Sequence, residues 1–214
     1  MKKIRSFSIY YMFLLTLFFT AVVSLIHGLN EERITVNEKI KLQRIILQVL
    51  DISLPAEADD RQALEIFNKR VASKEVDGNA IYIATSEDGH GIEGYAIDLH
   101  GPGFWGPVYG MMGIGPKLDR VLGIAFYKHT ETPGLGGRIT ESWFMDQFKG
   151  KKIGDMQGET APYFRLKPPG TAKVPHEVDA IAGATGTSRA VERLINEGLH
   201  RYLPLLAQLP PEPK

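Results

Sequence analysis

The chain contains no cysteine among its 214 residues. That absence excludes disulfides, a cysteine nucleophile, cysteine-ligated iron–sulfur clusters and the cysteine attachment of haem c. Histidine is also sparse, and the 6 histidines form no H-x-x-x-H or H-E-x-x-H pair. Since such pairs are the usual beginnings of a zinc site, we expect no bound metal.

An excess of charge of either sign is missing as well. The 25 lysines and arginines balance the 25 aspartates and glutamates, and no basic stripe interrupts that balance. A nucleic-acid binder needs clustered positive charge to meet phosphates. We therefore expect no nucleic-acid partner.

A long apolar run is the first strong feature that is present. Phe7–Ile26 contains no charged residue, and 20 helical residues span about 30 Å, the thickness of a bilayer core. Basic residues precede the run, whereas Glu31 and Glu32 follow it. This asymmetry predicts a single-pass anchor in the cytoplasmic (inner) membrane, with the N-terminus in the cytoplasm and the remaining chain outside it.

Two alternatives to an anchor are less favoured. A cleaved signal peptide usually has a shorter apolar core and an A-x-A site, which does not follow this run. A buried helix of a soluble protein would show an apolar stripe rather than apolar residues on all faces.

The residues after the apolar run show helical spacing. Residues 34–52 predict a helix just outside the membrane, because isoleucine and valine recur at helical intervals. A second helix is predicted within residues 54–72, with Asp59 or Asp60 as its N-cap. Its apolar face would consist of Ala63, Phe67 and Val71.

The middle of the chain has the pattern of strands. Four β-like segments, separated by Gly, Pro, Asp and Asn, occupy residues 80–85, 91–99, 108–114 and 120–129. Their short connections favour antiparallel pairing, and the absence of βαβ alternation disfavours a Rossmann-type sheet.

Helical spacing returns after the strands. A short helix capped by Thr140 precedes a turn-rich region. The final helix is predicted to begin near Thr187 or Ser188 and to end near Leu203. The sequence thus predicts an α+β fold, in which one transmembrane helix precedes an antiparallel sheet with flanking helices.

The predicted boundaries divide the chain into four parts. Residues 1–29 form the anchor, and residues 30–75 form a helical juxtamembrane region. Residues 76–205 form the α+β domain. Residues 206–214, rich in proline, form a flexible tail.

The segment "DAIAGATGTS", residues 179–188, combines small residues with hydroxyls just before the last helix. It suits an ordinary turn in which Thr187 or Ser188 caps the helix. It matches a P-loop poorly, because no lysine stands at the required place. It also suits a phosphate site at a helix N-terminus, where Gly183 and Ala184 permit close approach and Thr185 lies among the donors.

The first seven residues of this segment, "DAIAGAT", resemble the attachment motif of the FMN-binding domain family, D-x-x-[ST]-G-A-[ST]. That family includes one subunit of the sodium-translocating NADH:quinone oxidoreductase and one subunit of the related Rnf electron-transport complex. The resemblance implies that Thr185 carries FMN through a phosphoester bond, which a flavinyltransferase installs from FAD. Ala182 departs from the motif, because Ser or Thr usually stands there.

Two further segments resemble the same family. "HTETPGLGG", residues 129–137, is similar to H-x-E-T-P-G-L-G, and "GPGFWGPVYGMMGI", residues 101–114, is similar to G-x-G-x-W-G-P followed by a tyrosine and a glycine. Their order and spacing agree with the family. The resemblance implies that the first of them lies against the flavin ring.

The resemblance implies a role in FMN binding for ten residues. These are Thr185 as the covalent site, Asp179, Gly183 and Ala184 in its motif, Thr187 at the phosphate, Glu131 and Thr132 at the flavin edge, Leu135 and Gly136 as a wall, and Trp105 near the ring. Each residue other than Thr185 also suits a turn, a cap or the core. No residue is expected to act as a catalytic acid or base.

The family implies a membrane-anchored flavoprotein that relays electrons. The expected partners are the membrane, multi-span and redox subunits of an ion-translocating NADH:quinone or Rnf-type complex, and a flavinyltransferase during maturation. The chain would be one electron-transfer subunit rather than a complete enzyme. A stand-alone anchored flavin reductase and a non-redox binding module of the same fold are the alternatives.

Overall fold

The computed structural model describes residues 2–55, 57–89, 91–154 and 162–209. The chain divides into two compact units, Met1–Leu42 and Gln43–Lys214.

The first unit is helical. Helix α1 comprises Lys2–Val49 and therefore extends into the second unit. Within it, Phe7–Glu31 is long and apolar enough to cross a membrane, although a signal sequence has the same length and composition. The prediction of a separate helix over residues 34–52 was wrong, because no residue between Ile26 and Val49 interrupts the helix.

The second unit contains an antiparallel sheet in the order β1 to β5. Its strands are β1 (Val71–Val76), β2 (Asn79–Thr85), β3 (Ile92–Pro102), β4 (Pro107–Ile114) and β5 (Val121–Lys128). The predicted fold class, an antiparallel sheet with flanking helices, is confirmed.

Helix α2 comprises Asp60–Arg70 and leads directly into β1. Of the two predicted caps, Asp59 is the N-cap: its side chain accepts from the backbone N–H of Gln62, whose side chain in turn accepts from the Asp59 N–H. Val71 does not belong to the apolar face of the helix, because it is the first residue of β1. The region predicted to be helical as far as residue 75 thus includes most of an edge strand.

One face of the sheet packs against the last helix, α4, which comprises Thr185–Ala207. Leu99 lies against Gly198 of this helix, and Leu194 lies against Gly101 of β3. The other face receives the end of α1, where the backbone of Val49 contacts glycines of β4 and β5. Helices therefore cover both faces of the central strands.

The segment after β5 differs from the prediction. Two short 3-10 helices, Gly136–Thr140 and Asp146–Phe148, flank the four-residue helix α3, Ser142–Met145. Thr140 is not the cap of α3, because its hydroxyl donates to the Gly137 carbonyl and Glu141 is the N-cap.

The turn-rich region contains two short strands that the prediction missed. Strands β6 (Arg165–Lys167) and β7 (Glu177–Asp179) pair in parallel. Three-residue strands carry too little periodicity to be recognised in a sequence. Strand β7 ends at Asp179 and so delivers the chain to the turn before α4.

Helix α4 is longer than predicted at both ends. It begins at Thr185, two residues before Thr187, and continues past Leu203 to Ala207. Leu206, predicted to begin the tail, is buried in the core. Residues 210–214 of that tail lie outside the described residues.

Candidate functional site

Thr185 is the first residue of α4, and its side chain is exposed. The N-cap residue, Ala184, has no side chain able to cap the helix, and no other side-chain cap is present among the described residues. The first N–H groups of a helix have no intrahelical acceptor. An exposed hydroxyl therefore lies beside free backbone donors and the positive end of a helix dipole.

The turn before Thr185 is held by short internal bonds. The Ala184 N–H donates to the Ile181 carbonyl at 3.1 Å, and the Ile181 N–H donates to the Ser188 hydroxyl at 3.1 Å. Gly183 has φ +75°, a conformation that favours glycine. Ser188 is thus not the N-cap that the sequence suggested, because it lies inside the helix and secures the turn from there.

Thr187 points away from the surface. Its side chain is buried, and its hydroxyl donates to Oε2 of Glu131 at 2.6 Å. A phosphate on Thr185 therefore has no free hydroxyl at Thr187 to bind, contrary to the role that the sequence suggested. The two threonines of this helical turn differ sharply, since the hydroxyl of Thr185 faces outward and that of Thr187 is engaged.

Glu131 is also buried, and the other oxygen of its carboxylate binds the loop between β3 and β4. Oε1 accepts from the backbone N–H of Phe104 at 2.7 Å and of Trp105 at 3.1 Å. Its own N–H donates to Nδ1 of His129 at 3.2 Å. Both carboxylate oxygens thus have partners within the protein.

Exposed apolar side chains lie on either side of the attachment turn. Leu135, 46% exposed, lies next to Gly183, and the ring of Phe104, 59% exposed, covers Gly186. Trp105 is 68% exposed, and its ring meets that of Phe104 edge-on at 5.1 Å. Large exposed apolar side chains that cluster in this way are typical of a binding surface.

Phe104 was not among the predicted site residues. The sequence offered one signal for it, since it lies beside Trp105 in the segment 101–114 that resembles the family. Its contact with Gly186 joins residues far apart in sequence, and no local pattern predicts such a contact.

The remaining predicted residues of this loop have turn roles. The Thr132 carbonyl accepts from the N–H groups of Leu135 and Gly137, at 3.2 and 2.9 Å. The Thr132 side chain is exposed, whereas Gly136 is buried beside Thr187 and Glu131. Gly136 therefore serves close packing within the protein.

Asp179 fixes the approach to the attachment turn. Its Oδ1 accepts from the N–H groups of Thr171 and Ala172, at 3.1 and 3.0 Å. The side-chain amide of Gln147 bonds the N–H and the carbonyl of Asp179, at 2.9 and 3.2 Å. The carboxylate thus supports the turn from behind.

A cleft of about 390 Å³ opens beside the turn, lined in part by Asp179, Ala182 and Arg138. The Arg138 guanidinium lies over the ring of Trp143 at 5.0 Å. Hydrogen bonds from the Trp143 indole and from Arg138 hold the pKa of Glu141 below its usual value. This rim therefore keeps its charge pairing into mildly acidic solution.

The site has the features that FMN requires. An exposed hydroxyl and uncapped helix N–H groups suit a phosphate ester, and three exposed apolar side chains suit the flat isoalloxazine ring. The structure brings together Thr185, Gly183, Ala184, Leu135 and Trp105 at this surface. It places the side chains of Glu131 and Thr187 beneath it.

Comparison with known proteins identifies relatives of this chain. Residues 103–200 match the family described as "FMN-binding domain". The NqrC subunit of the Na(+)-translocating NADH-quinone reductase of Neisseria meningitidis serogroup A is 37% identical over 131 residues, which cover 60% of this chain and 50% of that protein. The same subunit of Chlamydia muridarum is 30% identical over 196 residues, which cover 84% and 56%. The chain thus spans about half the length of these curated relatives.

Solved structures share the fold. The crystal structure of Shewanella oneidensis NqrC superposes with a TM-score of 0.70 at 22% identity, covering 81% of this chain and 98% of that one. The corresponding protein from Parabacteroides distasonis gives a TM-score of 0.67 at 25% identity, covering 81% and 95%. Together with the family match, these similarities confirm the resemblance of the three segments: residues 103–200 carry an FMN-binding domain, in a chain that resembles the NqrC subunit of the Na(+)-translocating NADH-quinone reductase.

Proposed function

We propose that this chain carries FMN covalently on Thr185 and relays electrons as a membrane-anchored subunit of an ion-translocating NADH:quinone oxidoreductase complex. The observation that carries the proposal is the contrast within one helical turn. Thr185 offers an exposed hydroxyl at an uncapped helix start, whereas the hydroxyl of Thr187 is buried and bonded to Glu131.

The attachment step is a phosphoryl-type transfer from FAD. The Thr185 oxygen forms a bond to the FMN phosphorus, the pyrophosphate P–O bond breaks, and AMP leaves. The hydroxyl proton passes to a base of the flavinyltransferase or to solvent. No oxidant or reductant is required, and the step needs only an accessible hydroxyl.

The residues around Thr185 would hold the product. Free N–H groups at the start of α4 face the phosphate, whose negative charge the helix dipole favours. Trp105, Phe104 and Leu135 offer apolar surface to the ring. Bound FMN supplies one- and two-electron redox chemistry, and the protein's part is to tether and orient it.

Membership of a complex is supported by the relatives, each of which is named as one subunit of an Na(+)-translocating NADH-quinone reductase. The expected partners are its multi-span and redox subunits, together with a flavinyltransferase during maturation. An Rnf-type complex is the alternative assembly. Co-purification of the tagged full chain from its native membrane distinguishes the two by the partner subunits that mass spectrometry identifies.

The apolar segment Phe7–Glu31 supports a single-pass anchor in the inner membrane. We place its N-terminus in the cytoplasm and the flavin domain outside, because basic residues precede the segment and acidic residues follow it. Cysteine labelling suits this chain, which has no native cysteine. A cysteine introduced at Lys117 should react with an impermeant maleimide in intact cells, and a cytoplasmic domain would remain unlabelled until lysis.

The direct test is flavin fluorescence of the denatured chain after co-expression with a flavinyltransferase. We expect a fluorescent band for the wild type and for Thr187→Val, and a dark band for Thr185→Ala, with the modified residue located by peptide mass. Ala182→Ser, which restores the usual motif, should label at least as well as the wild type. A dark wild-type band, with the transferase active on a control substrate, would refute the proposal and favour a non-redox binding module.

A further inference from the structure

We propose that Glu131 and Thr187 form a clamp that positions the Trp105 loop against the flavin-bearing helix, so that Glu131 acts through the protein rather than by contact with the flavin ring. The inference rests on the proposed function, because it assigns a positioning role within the same site. We define the clamp as the Glu131 carboxylate with its partners Thr187, Phe104 and Trp105.

One end of the clamp holds the loop between β3 and β4. Oε1 of Glu131 accepts from two successive backbone N–H groups, those of Phe104 and Trp105. The loop is closed on itself by a bond of 2.8 Å from the Gly103 N–H to the Gly106 carbonyl. A side chain on Gly103 would collide with Oε1, so the loop lies as near to the carboxylate as a backbone can.

The other end holds the first turn of α4. Oε2 of Glu131 accepts from the Thr187 hydroxyl at 2.6 Å, and both side chains are 3% exposed. Gly136 lies against these same two groups, because an added Cβ there would collide with the Thr187 oxygen and lie 2.8 Å from Oε2. The contact is therefore enclosed by protein.

One carboxylate consequently joins three distant segments. The loop that carries Trp105, the loop that carries Leu135 and the helix that carries Thr185 all meet at Glu131. Charge-assisted hydrogen bonds are among the stronger ones, and buried ones are weakened little by solvent. The clamp therefore fixes where the apolar side chains lie relative to Thr185.

The geometry gives a reason for the second threonine of the motif region. Thr187 is two residues beyond the attachment site, so its side chain points inward when that of Thr185 points outward. A serine keeps the hydroxyl, whereas valine keeps the shape and removes it. These two substitutions separate the hydrogen bond from packing.

The first test uses protein expressed without a flavinyltransferase, so that no flavin is present. Amide hydrogen exchange is measured at Phe104 and Trp105 in the wild type, Thr187→Val, Thr187→Ser and the matched control Thr185→Val. Loss of one hydrogen bond to a buried carboxylate should speed exchange at both amides by about tenfold in Thr187→Val. Thr187→Ser and Thr185→Val should match the wild type, and the Met112 amide in β4 should report an unchanged fold.

The second test uses flavinylated protein and measures the anisotropy of flavin fluorescence. We expect Thr187→Val to keep its covalent flavin but to show lower anisotropy than the wild type and Thr187→Ser. Equal exchange and equal anisotropy in the valine and serine variants would overturn the clamp while leaving covalent flavin established. Faster exchange in Thr187→Val with a dark wild-type band would support the clamp and refute the proposed function.

Discussion

Glycines permit close approach in two regions of this domain, but they meet different partners. Under the end of α1, a Cβ added to Gly113 would overlap the carbonyl of Val49. Around Thr185, a Cβ on Gly136 would strike the side chains of Thr187 and Glu131, and one on Gly186 would strike the ring of Phe104. The first region packs backbone on backbone, and the second packs backbone on side chains.

The difference separates stability from function. A helix backbone cannot move without moving its whole element, whereas side chains change rotamer at modest cost. Substitutions under α1 should therefore affect folding, and substitutions around Thr185 should affect the arrangement of the site. Three alanine variants test this distinction, in descending order of expected effect.

Gly113→Ala should have the largest effect. The new methyl group has to displace the last turn of α1, and overpacking against a rigid partner costs about 3 kcal/mol or more of unfolding free energy. Chemical denaturation of the full chain in detergent, followed by far-UV circular dichroism, measures the loss.

Gly198→Ala is the matched control for that variant. Its Cβ would meet a methyl group of Leu99, the mobile end of a side chain, on the opposite face of the sheet. Alanine is favoured over glycine inside a helix by about 1 kcal/mol, which offsets the repacking. If Gly198→Ala destabilises the domain as much as Gly113→Ala, the distinction between backbone and side-chain partners fails.

Gly136→Ala should have an intermediate effect. The methyl group would push the Thr187 hydroxyl away from Oε2 of Glu131, and a buried group that loses its partner costs about 1–3 kcal/mol. We expect a matching loss of stability together with faster amide exchange at Phe104 and Trp105. Normal exchange at these amides in a destabilised variant would show that the cost arises elsewhere.

Sequence reasoning located the surface of the site better than its interior. The segments at residues 101–114, 129–137 and 179–185 were identified from resemblance, and the structure brings them together at the start of α4. The partners of Glu131 were not foreseen, because a hydrogen bond over 56 positions to Thr187 leaves no local pattern. Small residues read as clearance for a cofactor include Gly136, whose space the protein's own side chains occupy.

The fold shows the same division. Strands β2 to β5 were predicted because their lengths and turns carry a clear pattern, whereas β1 was assigned to the helical region before it. Helix α2 passes into β1 at Val71 with no intervening turn residue. Turn residues are the main boundary signal in a sequence, so the helix appeared to continue.

Gly186→Ala should have the smallest effect on stability and the most local one. The ring of Phe104 is 59% exposed and is free to swing away from the new methyl group. Alanine also suits the first turn of a helix better than glycine, so the net change should stay within about 0.5 kcal/mol. Because Phe104 meets Trp105 edge-on at 5.1 Å, the Trp105 emission should shift. Measuring it in a Trp143→Phe background isolates Trp105, since the chain has 2 tryptophans. An unchanged spectrum would mean that the ring stays in place and the helix yields instead, which would make the flavin-bearing turn the softer partner.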